Sequence, residues 1–134
     1  MQDSKPKALI VDDNPALTRV TQFALERAGM ETATAADGYQ ALQMALATQF
    51  DVVITDQQMP RMTGIELCQA LRDLPVYRDC PIVLLTAKGL ELELPRLREE
   101  LGIDGVFAKP FSPAAVVEAV GQLLQQRVHQ AYCQ

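Results

Sequence analysis

With 134 residues, 49% of them hydrophobic, the chain can bury the core of one ordinary domain without a metal or disulfide framework. Seventeen acidic residues against twelve basic ones give a formal net charge of −5, which argues against the broad phosphate-binding surface of nucleic-acid-binding proteins. Its three cysteines are too widely spaced for a zinc site, and no apolar run resembles a signal peptide or a membrane span.

These features predict a single domain over residues 1–134, with a core of about residues 7–126 and short polar tails. We expect a cytoplasmic location and no direct contact with nucleic acid or membrane. Strand-like and helix-like segments alternate along the chain, which is the pattern of an α/β fold whose parallel sheet is covered by helices on both faces.

The first predicted elements are a strand and a helix. Residues 8–11 form an apolar run that ends at Asp12 and Asp13. A helix follows, with Asn14 as its N-cap, a proline suited to its first position, and Gly29 to end it. Apolar residues at helical spacing predict its buried face, namely Leu17, Val20, Ala24 and Ala28.

A strand over about residues 31–35 leads through Asp37 into a second helix. Residues 50–55 form the most hydrophobic strand of the first half, and Asp56 ends it. In the second half, two strands end at Thr86 and Lys109. The elements predicted there are a helix over about 65–74, a strand over 82–85, a helix over about 95–101, a strand over 106–108 and a helix from Ser112.

Polar side chains follow four of these strands, at Asp12, Asp13, Asp56, Thr86 and Lys109. The carboxyl ends of parallel strands meet at one edge of a sheet, where open α/β sheets bind ligands. Three carboxylates there repel one another unless a cation intervenes, and an oxygen-only site suits Mg²⁺ better than zinc. The ammonium and hydroxyl complete a cradle for a phosphoryl group, and Asp56 is the best placed nucleophile.

The same residues resemble the receiver domain of two-component response regulators, over about residues 7–126. The shared motifs are Asp12-Asp13, Asp56 followed in the sequence by Met59-Pro60 and Gly64, Thr86-Ala87, and Lys109-Pro110. The resemblance implies a flavodoxin-like doubly wound (βα)5 three-layer sandwich with sheet order 2-1-3-4-5. It also implies a cis peptide bond between Lys109 and Pro110.

The resemblance also implies what individual residues do. Asp56 would accept the phosphoryl group, Thr86 would be the switch hydroxyl that moves to meet it, and Lys109 would be its counter-charge. The implied Mg²⁺ ligands are Asp13, Asp56 and the main-chain carbonyl of Gln58, with Asp12 acting mainly through a metal-bound water.

The phosphoryl donor implied is a phosphohistidine of a histidine kinase or phosphotransfer protein, or a small acyl phosphate. The chain would then be a signalling phosphoacceptor that assists its own phosphorylation and dephosphorylation, rather than an enzyme. Phosphorylation would shift an equilibrium near the fourth and fifth strands and change which target protein or output domain binds.

Several alternatives stay open. The chain is either a stand-alone regulator or a receiver segment of a hybrid histidine kinase or larger regulator. A Mg²⁺-dependent aspartyl-phosphate phosphatase of the haloacid dehalogenase type is more distant, since it needs a second acid where this chain has Gln58. Taken singly, Asp12 and Asp13 could be helix caps and Lys109 a surface charge. Their joint position at strand ends favours the functional interpretation.

Two features stand apart from the resemblance. Val106 lies where the family usually has an aromatic residue, and Phe107 beside it is predicted to face the opposite side of the strand. Leu90 and Leu92 lie in a segment where leucine and glutamate alternate. They either form a surface for a partner or a phosphorylation-dependent dimer, or fold back onto the domain.

Overall fold

The computed structural model describes residues 5–87 and 93–133, with side chains as far as residue 126. Within these residues the predicted alternation is confirmed, with one short 3₁₀ helix (Pro75–Tyr77) in addition. The strands are β1 (Lys7–Val11), β2 (Glu31–Ala35), β3 (Val52–Asp56), β4 (Ile82–Thr86) and β5 (Gly105–Ala108). The α-helices are α1 (Pro15–Arg27), α2 (Gly38–Ala47), α3 (Gly64–Arg72), α4 (Leu94–Leu101) and α5 (Pro113–Cys133).

The five strands form one parallel sheet in the order β2-β1-β3-β4-β5, as expected. Every residue of β3 and β4 is buried, which explains their continuous apolar sequences. In the register of the sheet, Val11 lies beside Thr55 and Asp56 lies beside Leu85. The carboxyl ends of β1, β3 and β4 are therefore almost level with one another.

Two hydrophobic cores lie on opposite faces of the sheet and produce the three-layer sandwich. One core packs α2, α3 and α4 against the sheet, and the other packs α1 and α5. Val106 packs against the first core and Phe107 against the second, so their predicted opposite orientation is confirmed. Met59 is buried in the first core and Met62 packs against it, which gives both methionines a packing role.

The predicted buried face of α1 is partly wrong. Thr21 and Leu25 are the buried residues of this helix, whereas Val20 is 49% exposed and Ala28 is an exposed C-cap. The buried stripe runs through a polar residue, because Thr21 lies four residues from Leu25 and so on the same face of the helix. Apolar spacing alone therefore indicated a face rotated away from the real one.

Arg72, the last residue of α3, joins three parts of the chain. Its guanidinium donates to the carbonyl oxygens of Leu101 at 2.6 Å and Gly102 at 3.0 Å, at the end of α4. It also donates to the carbonyls of Tyr77 at 2.6 Å and Cys80 at 2.8 Å. Charged donors form stronger hydrogen bonds than neutral ones, so this side chain fixes the end of α4 against α3.

Tyr77 ends the 3₁₀ helix, which the sequence analysis did not predict, and its side chain is fully buried. The hydroxyl accepts a hydrogen bond from the N–H of Phe50 at 3.1 Å. It lies 2.8 Å from the carbonyl of Ala45 and 2.9 Å from that of Thr48, either of which takes its proton. The phenol thereby satisfies main-chain groups in the segment that leads from α2 into β3.

We expect Tyr77→Phe to lower the free energy of unfolding by about 1–3 kcal/mol, because the substitution leaves a buried N–H and carbonyl unpaired. Urea denaturation measures the change. Tyr39→Phe is the matched control, since the Tyr39 side chain is 54% exposed and its hydroxyl loss should cost little. Equal stability of the two variants would show that the Tyr77 hydroxyl contributes nothing.

Candidate functional site

Three carboxylates cluster at the carboxyl edge of the sheet. Asp12 and Asp13 follow β1, and Asp56 is the last residue of β3. One carboxylate oxygen of each residue lies within 4.8 Å of the others. Asp12 and Asp56 are 4% and 2% exposed, whereas Asp13 is open to solvent. The cluster is therefore accessible from one side, and a single cation can contact all three groups.

Lys109 brings a positive charge to this cluster. Its Nζ lies 2.9 Å from Asp56 Oδ1 and 3.6 Å from Asp12 Oδ2. The lysine directly follows β5 and precedes the cis peptide bond to Pro110, as the resemblance implied. Its main-chain N–H donates to the carbonyl of Thr86 at 2.7 Å, which ties it to the end of β4. This one ammonium pairs with two of the three carboxylates, so the cluster retains excess negative charge when all are ionised.

Burial and charge act on Asp56 in opposite directions. Desolvation raises the pKa of Asp56, contact with the Lys109 ammonium lowers it, and the charge of Asp12 raises it again, with a net rise. For Lys109, desolvation lowers the pKa, but contact with Asp56 and the charge of Asp12 outweigh this effect and raise it. A further cation in the cluster would favour the ionised form of Asp56.

The donor set of the cluster fits a hard divalent cation. It consists of carboxylate oxygens with neither histidine nor cysteine, which suits Mg²⁺ rather than zinc. Asp56 Oδ1 is buried and forms an ion pair with the Lys109 ammonium at 2.9 Å, so this oxygen has room for a cation beside it. Gln58, whose carbonyl is the further predicted ligand, lies two residues beyond Asp56 at the same sheet edge.

Asp12 also has an ordinary structural role. Its Oδ1 accepts a hydrogen bond from the N–H of Asn14 at 2.9 Å. Asn14 in turn caps α1, as predicted, by accepting from the N–H groups of Ala16 at 3.0 Å and Leu17 at 3.3 Å. The capping and functional interpretations of these residues are therefore compatible, because Asp12 uses its other oxygen toward Lys109.

Thr86 is the last residue of β4 and is fully buried. The side-chain amide of Gln58 donates to Thr86 Oγ1 at 3.1 Å, and the N–H of Ala87 donates to Gln58 Oε1 at 3.0 Å. We call this pair of hydrogen bonds the Gln58 bridge. The sequence does not predict this bridge, because residue spacing says nothing about where a glutamine side chain points.

Gly64 allows α3 to begin directly against the end of β3. A Cβ atom at this position would collide with the main-chain carbonyl oxygen of Asp56 and lie 2.8 Å from Leu84 Cδ1. The N–H of Gly64 donates to the carbonyl of Gln57 at 3.1 Å, and Gln57 Oε1 accepts from the N–H of Ile65 at 2.8 Å. This close approach of α3 holds the main chain of Asp56 in place.

The structure thus brings all five predicted strand-end residues to one edge of the sheet. Leu90 and Leu92, the predicted partner or dimer surface, lie outside the described residues.

Among the helices that the structure does describe, none is both long and apolar enough to cross a bilayer.

A family model for the response regulator receiver domain matches residues 8–121. The alkaline phosphatase synthesis transcriptional regulatory protein PhoP of Bacillus subtilis is 38% identical over 120 residues, which are 90% of this chain and 49% of PhoP. The transcriptional regulatory protein ResD of the same species is 35% identical over 132 residues, or 98% of this chain and 53% of ResD. The chain spans about half the length of these curated relatives.

The chemotaxis protein CheY4 of Vibrio cholerae has a similar solved structure. It superimposes with a TM-score of 0.83 at 35% identity, and the match covers 90% of this chain and 99% of CheY4. The fold is thus shared with a known protein over most of the chain.

Proposed function

This chain belongs to the response regulator receiver domain family of two-component signalling, and on that premise we propose that Asp56 is its phosphoacceptor. The observation that carries the proposal is the environment of the Asp56 carboxylate. It is buried at the end of a central strand, within 4.8 Å of two further carboxylates and 2.9 Å from an ammonium. A nucleophilic carboxylate needs these surroundings to meet an anionic donor.

The proposed reaction is phosphoryl transfer. An oxygen of the Asp56 carboxylate forms a bond to phosphorus while the bond from phosphorus to the donor breaks. The donor is a phosphohistidine nitrogen of a histidine kinase or phosphotransfer protein, or the carboxylate of a small acyl phosphate. The leaving nitrogen or oxygen keeps the electron pair of the broken bond.

The residues around Asp56 have distinct proposed roles in this step. Lys109 faces the reacting carboxylate and neutralises charge on the phosphoryl oxygens. Asp12, Asp13, Asp56 and the main-chain carbonyl of Gln58 would hold Mg²⁺. The metal would supply positive charge that lets an anionic donor approach three carboxylates.

Phosphorylation is proposed to act through the end of β4. A phosphoryl group adds negative charge and acceptor oxygens beside Thr86, whose hydroxyl can donate to one of them. The main chain of Thr86 is joined to Lys109 at 2.7 Å, so a change at this residue also affects β5. We infer a shift between two arrangements of this region, each favouring a different target protein or output domain.

The setting of this domain in the cell is also a proposal. PhoP and ResD, which are about twice as long as the match, are named as transcriptional regulatory proteins, whereas CheY4 is matched over almost its whole length. A receiver can therefore be joined to an output domain or act alone on a separate target. Cys68 is buried and forms no disulfide among the described residues, which suits the proposed cytoplasmic location.

Incubation with acetyl phosphate tests the proposed function directly. We expect the intact mass of the chain to increase by one phosphoryl group when Mg²⁺ is present, and no adduct to form when a chelator is added before the acetyl phosphate. A chain that stays unmodified under both conditions would contradict the phosphoacceptor role.

We expect Asp13→Asn to weaken Mg²⁺ binding about tenfold or more, because the substitution removes one of the clustered carboxylates. Isothermal titration calorimetry with Mg²⁺ measures the affinity. Asp79→Asn makes the same change of charge at the opposite edge of the sheet, just before β4, and should bind Mg²⁺ like the parent. If the two variants bind Mg²⁺ equally well, Asp13 is not a ligand.

A further inference from the structure

The Gln58 bridge links the loop behind Asp56 to the residues that follow β4. Resting on the proposed function, we propose that Gln58 is a positioning residue that holds Thr86 and Ala87 in the unphosphorylated arrangement. Phosphorylation of Asp56 must break this bridge before the two residues can turn to the phosphoryl group. The side chain therefore sets how readily the domain switches.

The chemistry of the groups fixes the direction of both hydrogen bonds. The main-chain N–H of Ala87 can only donate, so the oxygen of the Gln58 amide must face it. The amide nitrogen then faces Thr86 Oγ1, to which it donates at 3.1 Å. Both ends of the amide are satisfied in this orientation, whereas a flipped amide would place two donors against each other.

The bridge spans neighbouring strands beside the proposed phosphoacceptor. Asp56 lies beside Leu85 in the sheet, so Thr86 is one residue further along β4. Gln58 reaches across from the loop after β3 to this position. Ala87 is exposed, and its N–H would face water if Gln58 did not accept from it.

A phosphoryl group on Asp56 needs donors for its oxygens, and the N–H of Ala87 and the hydroxyl of Thr86 lie at the same edge of the sheet. It competes with Gln58 for the N–H of Ala87, where a charged phosphoryl oxygen is a stronger acceptor than the neutral amide oxygen. At Thr86 the amide of Gln58 is the donor, so its hydrogen bond restrains the position of the hydroxyl without using the hydroxyl proton. Turning both residues to the phosphoryl group therefore gives up the two hydrogen bonds of the bridge.

Gln58→Met tests the inference, since methionine has a similar length but can form neither hydrogen bond. The probe is beryllofluoride with Mg²⁺, a stable stand-in for the phosphoryl group, titrated by calorimetry. We expect the variant to bind beryllofluoride about tenfold more tightly than the parent. Tenfold corresponds to ~1.4 kcal/mol, a reasonable value for two partly exposed hydrogen bonds.

A second measurement concerns the protein without any phosphoryl group. Hydrogen exchange at the N–H of Ala87, followed by NMR, should become faster in Gln58→Met because its acceptor is gone. Gln57→Met is the matched control. The Gln57 side chain accepts from Ile65 instead, so exchange at Ala87 should stay at the parent rate in that variant.

A double-mutant cycle separates this role from a general effect on the loop. If Gln58 acts through Thr86, the gain in beryllofluoride affinity from Gln58→Met should be smaller in a Thr86→Val background. A gain of the same size in both backgrounds would contradict action through the hydroxyl. Gln58→Ala repeats the test with a shorter side chain and should shift affinity in the same direction.

The outcomes distinguish this inference from the proposed function. If the parent binds beryllofluoride but Gln58→Met binds it equally or more weakly, the positioning role of Gln58 is wrong and the phosphoacceptor role stands. If the parent does not bind beryllofluoride with Mg²⁺, the proposed function is wrong and this inference with it. Unchanged exchange at Ala87 in Gln58→Met would also overturn the bridge.

Discussion

Asp56→Asn is expected to abolish phosphorylation by acetyl phosphate and Mg²⁺, with no mass increase detected where the parent gains one phosphoryl group. Asparagine occupies the same space but lacks an anionic oxygen to attack phosphorus. The variant keeps Asp12, Asp13 and Lys109, so the loss would assign the nucleophile rather than the pocket in general. Intact mass spectrometry of the two proteins, treated side by side, makes the measurement.

The same variant should remain folded. Burial and the charge of Asp12 raise the pKa of Asp56, so its ionised form is less favourable in the fold than in the unfolded chain. The loss of folding stability caused by ionising Asp56 grows as the pH rises above the ordinary carboxyl pKa, and an uncharged asparagine avoids this loss. The unfolding midpoint in urea at neutral pH should therefore be no lower than that of the parent.

Two controls complete the experiment. Asp79→Asn, which lies just before β4 at the other edge of the sheet, should be phosphorylated like the parent. If a folded Asp56→Asn variant still gains a phosphoryl group, another residue is the acceptor. Peptide mapping of the adduct would identify that residue.

Gly64→Ala is expected to lower the free energy of unfolding by about 3 kcal/mol, the upper end of the usual cost of forcing an atom into a closely packed position. The added Cβ would meet the carbonyl oxygen of Asp56 and the Cα of Gln57, which lies 3.0 Å away. Both are main-chain atoms and cannot rotate aside, so β3 and α3 must separate. Because Asp56 itself is displaced, we also expect slower phosphorylation of the folded fraction.

Gly121→Ala is the matched control for this prediction. Gly121 lies within α5, and among the described residues a Cβ there would meet no atom within 4 Å beyond the backbone of its own helix. Alanine should therefore stabilise the protein by up to about 1 kcal/mol, through its higher helix propensity. Urea denaturation of both variants should give shifts of opposite sign, and a Gly64→Ala variant as stable as the parent would refute the packing argument.

The sequence predicted the fold and the position of the acidic cluster because both follow from simple regularities. Apolar runs ending in polar residues mark parallel strands, and parallel strands place their ends at one edge. Asp56, Thr86 and Lys109 could therefore be placed together without knowing any distance. The resemblance then supplied the order of the strands.

Other features depend on side-chain packing that spacing does not encode. The buried face of α1 contains Thr21, so a pattern built from apolar residues selected Val20 instead. Tyr77 is buried through three main-chain partners distant in sequence, and a proline-valine-tyrosine segment alone does not indicate this. Gln58 has the same kind of side chain as Gln57, yet only one of them reaches Thr86.

The hydrogen bonds of Arg72 have a mechanical consequence for α4. They hold its last turn, at Leu101 and Gly102, to α3. Within the described part of the chain, the first turn is not held in this way: its N-cap, Glu93, forms no capping hydrogen bond through its side chain and pairs instead with Arg96 of the same helix. A tilt of α4 would therefore pivot about Gly102 and displace Leu94 the most. Leu94 lies at the end of the helix that is nearer to Thr86 along the chain.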